Sequence, residues 1–317
     1  MAACCGSAPI APGEWSAKTL PCIAIGFPQD RSDRSIATPD AGFYAAFEAR
    51  FRGSRTTILE RLAVYRPLLR ELVKGAAAFS ALDLGCGRGE WLELLRKEGL
   101  PAQGIDQDDA MLEPARALGL QVRKGDALET LQSRPDGSET LISAFHLAEH
   151  LPFTQLQQLV IEAHRVLQPG GALILETPNA ENLVVGSCHF YLDPSHQRPL
   201  PAALLEFLIL HTGFQNAQVL RLQHNPALAA ANRVRLLDVL EGVSPDLAVI
   251  GLKDGGSTTE PLTTTLRTMA EGLSLPSLCA RYDQHQTRLQ ERLLNLEQAL
   301  EAQQQPWPRR WLRRLRR

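Results

Sequence analysis

Apolar residues in this chain fall into short continuous runs, separated by stretches with helical periodicity. The first run, Ala77 to Leu84, stops at Gly85-Cys86-Gly87-Arg88-Gly89, and Trp91, Leu92, Leu94 and Leu95 then mark a helix. That pattern predicts a strand, a tight turn and a helix start. Further short strands are predicted up to Gly104-Ile105-Asp106, at Leu120 to Val122, at Thr140 to Phe145 and at Ala172 to Glu176. Two more follow at Ala217 to Leu222 and Asp246 to Leu252, with helices at Pro201 to Leu210 and around Ala227 to Leu240. Upstream, Ile58, Leu59, Leu62 and Tyr65 share one face of a helix spanning Thr56 to Val73, after a regular start at Phe43 to Glu48. Strands alternating with helices predict an α/β domain with a mostly parallel sheet.

The flanks behave differently. Residues 1–40 are rich in Ala, Pro, Gly and Ser without steady periodicity and read as a disordered extension. The domain is expected over residues 41–253, followed by a Gly, Ser and Thr-rich linker over 254–277. Residues 278–305 form a polar helix whose Tyr282, Leu289, Leu293, Leu296 and Leu300 permit a short coiled coil and self-association. A solvated, fraying helix is the competing reading there.

The tail 306–317 alternates six arginines with Trp311, Leu312 and Leu315 and carries no acid, which leaves −8 on the rest of a chain whose net charge is −2. Its composition suits the surface of an anionic membrane, with a disordered basic tail and an RNA-contacting tail as alternatives. The acidic body argues against broad nucleic-acid binding. No apolar run approaches the ~20 residues of a membrane helix. The six cysteines show no C-x-x-C spacing, so reduced thiols of a cytoplasmic protein are expected, peripheral at the inner face of the membrane where the tail engages lipid.

The glycine turn carries the first chemistry. Glycines let backbone approach a ligand that a Cβ would push away, at the βα corner where open α/β sheets bind nucleotide-like ligands. The spacing is G-x-G-x-G rather than G-x-G-x-x-G, which weakens a dinucleotide reading. About twenty residues later Asp106 ends the second strand, placed to accept from both hydroxyls of a ribose. Lys124-Gly125-Asp126-Ala127 ends a third strand in an acid, and Pro169-Gly170-Gly171 precedes the fifth.

With Asp83-Leu84-Gly85-Cys86-Gly87-Arg88-Gly89-Glu90, these corners resemble class I S-adenosylmethionine (SAM) methyltransferases. The resemblance implies a Rossmann-like, seven-stranded sheet ordered 3-2-1-4-5-7-6, its last strand antiparallel and helices on both faces. N-terminal helices would cover the pocket as a lid. SAM would be held by Asp83, Gly85, Gly87, Gly89, Asp106, Gln107, Asp126 and Ala127, with Asp126 beside the adenine amino group.

Acceptor chemistry falls to histidines. His146, Glu149 and His150 are spaced i, i+3, i+4 after strand four, and His196 lies beyond strand five. In one reading His150, His196 or His146 serves as a direct general base. In the other, His146, Glu149, His150 and His196 gather a divalent metal, for which imidazole with carboxylate suits Mn, Fe, Zn or Co better than Mg. That set resembles the E-x-x-E-H of small-RNA 3′-end 2′-O-methyltransferases and ubiquinone-pathway O-methyltransferases, with His146 at the first position here. Asn179 is a further candidate for bonding an acceptor. Arg52 and Arg55 offer guanidinium forks for a carboxylate or phosphate.

Residues about 43–253 also resemble bacterial O-antigen chain-terminating or lipopolysaccharide-locus methyltransferases. The matching segments include Phe51 to Arg55, His146 to Phe153, Glu176 to Asn179, Phe190 to Pro199 and Ser244 to Val249. This implies methylation of a sugar hydroxyl or sugar phosphate on a glycan or lipid-linked glycan. Two alternatives stay open: a metal-assisted O-methyltransferase of an RNA 3′ end or quinone-type phenol, and a SAM-binding membrane scaffold.

Overall fold

The computed structural model describes residues 53–304 except 256, 258, 270 and 271. The expected extension 1–40, the helical start at Phe43 to Glu48, Arg52 and the basic tail 306–317 lie outside the described residues.

The strand order is β3-β2-β1-β4-β5-β7-β6, as the resemblance implied. The strands are β1 Ala81–Leu84, β2 Ala102–Asp106, β3 Val122–Lys124, β4 Glu139–Phe145, β5 Leu167–Pro178, β6 Asn216–Leu222 and β7 Asp246–Leu252. β1 to β5 are parallel, and β7 runs antiparallel to both β5 and β6. β5 begins earlier than predicted and absorbs Pro169-Gly170-Gly171 through a register shift opposite Glu139 and Leu141.

Alternate residues of the central strands feed different cores, which is why the runs are apolar throughout. Ile142, Leu173, Leu175 and Val249 point to one face and pack against helices Phe153–Val166 and Ala202–His211. Leu141, Ala172, Ile174 and Ile250 point to the other, against Arg55–Leu62, Arg66–Gly75 and Glu90–Lys97.

Three helical segments also differ from expectation. The helix predicted over Thr56 to Val73 is two, α1 (Arg55–Leu62) and α2 (Arg66–Gly75), joined by a 3-10 turn at Ala63–Tyr65. Pro67 sits in the first turn of α2, where its missing N–H costs nothing. The helix expected around Ala227 to Leu240 is likewise two short helices, Pro226–Ala230 and Leu236–Glu241, because Ala231 and Arg235 are extended and Val234 between them is buried.

The linker expected over 254–277 contains a helix, Thr259–Met269. Leu262 and Leu266, one turn apart, bury themselves in the core shared with α2, which outweighs the weak helix propensity of the threonines. The last helix, Leu275–Gln304, anchors Leu278 in a small core with Val239 and Val243. Its Leu289, Leu293, Leu296 and Leu300 are exposed. No described helix is long and apolar enough to cross a membrane.

Candidate active site

The C-terminal ends of the parallel strands build one wall of a cavity of about 1080 Å3. Leaving β1, the chain turns at Gly85 and Gly87, whose φ of 67° and 48° favour glycine. Asp106 at the tip of β2 locks that turn: its Oδ2 accepts the Gly87 N–H at 2.8 Å and its Oδ1 the Asp108 N–H at 2.9 Å. A carboxylate has about four lone-pair sites, so Asp106 keeps two for a ribose diol. Asp126 caps the helix Ala127–Gln132 by accepting from the N–H groups of Leu128 and Glu129, while Gln107 donates to its other oxygen at 2.7 Å. Asp83, Gly85, Gly87, Asp106, Gln107, Asp126 and Ala127 all line the cavity, so a polar-ended, diol-bearing cofactor fits. Ile58, Arg61 and Leu62 of α1 close over it.

Gly89 does not line the cavity. It is the left-handed N-cap of the helix Glu90–Lys97, and a Cβ there would lie 2.9 Å from the Ala115 Cβ and 3.0 Å from Leu120. The third glycine therefore serves helix packing, a correction to its expected cofactor role. Arg55 is also committed elsewhere, its Nε donating to Glu93 at 2.6 Å and its Nη1 to the Arg88 carbonyl. Asn179 is fully buried, donating to the Ser244 carbonyl and accepting from the Glu181 N–H, so it braces the β5 exit rather than facing an acceptor.

Cys86, inside the turn, is buried, and burial with the neighbouring Asp83 and Asp106 pushes its thiol well above the usual range. Only thiolate alkylates readily. Peptide mapping after iodoacetamide at about pH 8 will find exposed Cys188 modified and Cys86 intact. Equal labelling of the two would mean that the glycine turn opens in solution.

The opposite wall holds the histidines, but not as one group. Glu149, His150 and His196 bring one donor atom each within 4.8 Å of one another; His146 instead joins Glu176 and Asp246. This corrects the four-residue metal set. The cause is local: His146 sits in the left-handed region at φ 53°, which turns its ring away from His150 and towards β5 and β7. Its Nδ1 stays bonded to Glu149 Oε1 at 3.2 Å, and Thr177 donates to Glu149 Oε2 at 2.9 Å.

Hydrogen bonds fix the other two rings. Ser195 Oγ donates to Asp193 Oδ1 at 2.6 Å, so toward His150 Nδ1, at 2.9 Å, it can only accept. His196 Nδ1 faces the Phe190 carbonyl at 2.6 Å and must donate. In its neutral form each ring therefore carries hydrogen on Nδ1 and presents a bare Nε2. The rings meet edge to face, 4.6 Å between centroids. Burial, reinforced by the charge of His196, pulls the pKa of His150 down despite nearby Glu149.

His146 is different. Burial opposes its charge, yet the bond to Glu149 and the carboxylates of Asp246 and Glu176 raise it to about 9. In the metal-free chain it holds its proton at neutral pH and is a poor base, against its expected catalytic role. Burial lifts Glu176 to about 7, with the charge of Asp246 adding to it. Burial raises Asp246 too. Tyr65, Glu176, Asp246, Asp193 and Ser195 escaped the sequence reading. Asp193 and Ser195 had a signal in their closeness to His196, and Glu176 and Asp246 one in lying within the segments shared with O-antigen-locus methyltransferases.

Known proteins place this geometry. A family model described as a methyltransferase domain matches residues 55–233. A "Probable S-adenosylmethionine-dependent methyltransferase" of Mycolicibacterium smegmatis is 32% identical over 162 residues, covering 50% of this chain and 61% of its own length. A "Ubiquinone biosynthesis O-methyltransferase" of Pseudomonas aeruginosa is 29% identical over 111 residues, 33% of this chain and 47% of that protein. The chain spans about three fifths of the length of the first curated relatives it matches. A solved SAM-dependent methyltransferase from Archaeoglobus fulgidus superposes with a TM-score of 0.59 at 28% identity, covering 67% of this chain and 100% of that one. With more than half its length inside the family match and the cofactor wall in place, the chain belongs to the SAM-dependent methyltransferase domain family.

Proposed function

We propose that the chain methylates a hydroxyl of a cell-surface glycan, or of its lipid-linked precursor, using SAM. The observation that carries the O-methyl reading is the pair of bare imidazole nitrogens, on His150 and His196, facing a cavity whose other wall fits the cofactor. Bound SAM supplies an electrophilic methyl group. His150 is positioned to take the acceptor proton, because the Asp193 and Ser195 chain holds its ring and fixes its tautomer. His196 flanks it as a second acceptor of that proton or as an orienting group. The glycan reading is supported by the segments shared with O-antigen methyltransferases and by Asp193 and Gln155, polar side chains suited to hydroxyl groups along the cavity.

A second reading has its own observation. Glu149, His150 and His196 form a two-imidazole, one-carboxylate donor set with both rings held from behind, which fits a divalent metal. A metal there would lower the pKa of a bound hydroxyl, as suits vicinal diols of RNA 3′ ends or quinone-type phenols.

Transfer from labelled SAM to lipid-linked glycans, RNA and small phenols tests both. The glycan is expected to be labelled, and His150→Ala to lower kcat by ~100-fold or more. Label on phenol or RNA alone would overturn the acceptor, and loss of activity on chelation with recovery by Mn2+ would favour the metal. Full SAM binding without transfer to any acceptor would point to a scaffold.

A further inference from the structure

We propose that His146, Glu176 and Asp246 form a separate binding site for a divalent first-row transition cation. The three donors come from three neighbouring strands: His146 follows β4, Glu176 lies near the end of β5, and Asp246 begins β7. Because β7 runs antiparallel to β5, its first residue pairs with Pro178 at the same rim. A 4-5-7 strand order thus gathers residues 30 and 70 positions apart in sequence.

Each donor is held by its other atom. Glu149 takes His146 Nδ1 at 3.2 Å, Tyr65 Oη donates to Glu176 Oε2 at 2.5 Å, and Gln223 Nε2 donates to Asp246 Oδ2 at 2.5 Å. That leaves His146 Nε2, Glu176 Oε1 and Asp246 Oδ1 facing one another. All three lie within 4.8 Å, with His146 Nε2 3.7 Å from Glu176 and 3.9 Å from Asp246. These gaps are too long for hydrogen bonds. Ligands about 2.0–2.2 Å from a shared ion stand roughly 3–3.5 Å apart, so an adjustment of a few tenths of an ångström to about one ångström would close the set.

Charge points the same way. Buried Glu149 and Glu176 and half-buried Asp246 stand around a single half-buried imidazole, and exposed Arg61 is the one guanidinium that acts on Asp246 among the described residues. A carboxylate behind a ligating histidine, as Glu149 stands behind His146, is the usual support for a bound cation. One nitrogen and two oxygens favour Mn2+, Fe2+, Co2+ or Zn2+ over Mg2+. The site opens into the cavity and so has room for an acceptor oxygen as a further ligand. It shares no ligating residue with the Glu149, His150 and His196 set, so it stands whichever acceptor is methylated.

The test is equilibrium Mn2+ binding to the chelator-stripped full chain, followed by calorimetry, with SAM affinity as a check on folding. The double variant His150→Ala/His196→Ala, which removes the other donor set, should still bind one Mn2+. Adding Asp246→Asn to it should weaken that binding by ~100-fold or more, and adding Gln223→Ala by ~10-fold, the effect expected for a supporting group. The proposal is overturned if the double variant binds no Mn2+, or if neither addition changes its affinity.

Discussion

Replacing Asp106 with alanine should weaken SAM binding by at least ~100-fold. The carboxylate makes two charge-assisted bonds to backbone, one to Gly87 in the cofactor turn and one to Asp108. Each contributes about 1.5–3 kcal/mol. Losing them frees the turn at the point where it must approach the ligand, and the ribose diol loses its acceptor as well. A net loss of ~3–4 kcal/mol corresponds to roughly 100-fold to 1000-fold in Kd. Asp106→Asn separates the parts, since it preserves shape but turns one acceptor into a donor that faces a backbone N–H. It should fall between wild type and alanine. Calorimetric titration with SAM reads all three, and an alanine variant within threefold of wild type would show that Asp106 is not the diol partner.

The place of Asp106 at the tip of the second strand was legible because strand, turn and acid stand in one local order, and so was most of the sheet. Strands buried on both faces print as apolar runs, and Leu82, Ile142 and Leu173 sit where those runs placed them. Gly89 was misread because a packing glycine and a ligand-facing glycine look alike until Ala115 is seen against it. The helix Thr259–Met269 was hidden for a related reason: two leucines among threonines carry little periodicity, and the core they enter is built in part by Leu68 and Leu72, which stand 194 positions before Leu262 and Leu266. In the site, residue type singled out His150 and His196, whose rings the fold brings into contact. Glu176 and Asp246 lay only inside longer matching segments, because an acid at a strand end is commonplace and their adjacency exists only through strand order. The splitting of the histidines turned on one backbone angle, at His146, that no sequence pattern announces.

The largest stability loss is expected at Tyr65, which joins the covering helices to the reactive wall. It is fully buried and meets Trp91 and Phe145 edge-on, with centroids 5.7 Å and 5.6 Å apart. Removing so large a buried ring costs about 3–5 kcal/mol, because the surrounding core relaxes only partly. For a chain of this size Tyr65→Ala should lower Tm by roughly 6–20 °C. Tyr65→Phe keeps the packing but takes the donor from Glu176, at a cost of about 1–3 kcal/mol for the acceptor left behind. It should melt between wild type and alanine and bind SAM normally, since neither Tyr65 nor Glu176 belongs to the cofactor wall. Thermal unfolding of both variants beside SAM titration decides the matter. A phenylalanine variant as stable as wild type would mean that Glu176 finds another donor, whereas one that loses SAM affinity would tie the covering helices directly to the cofactor.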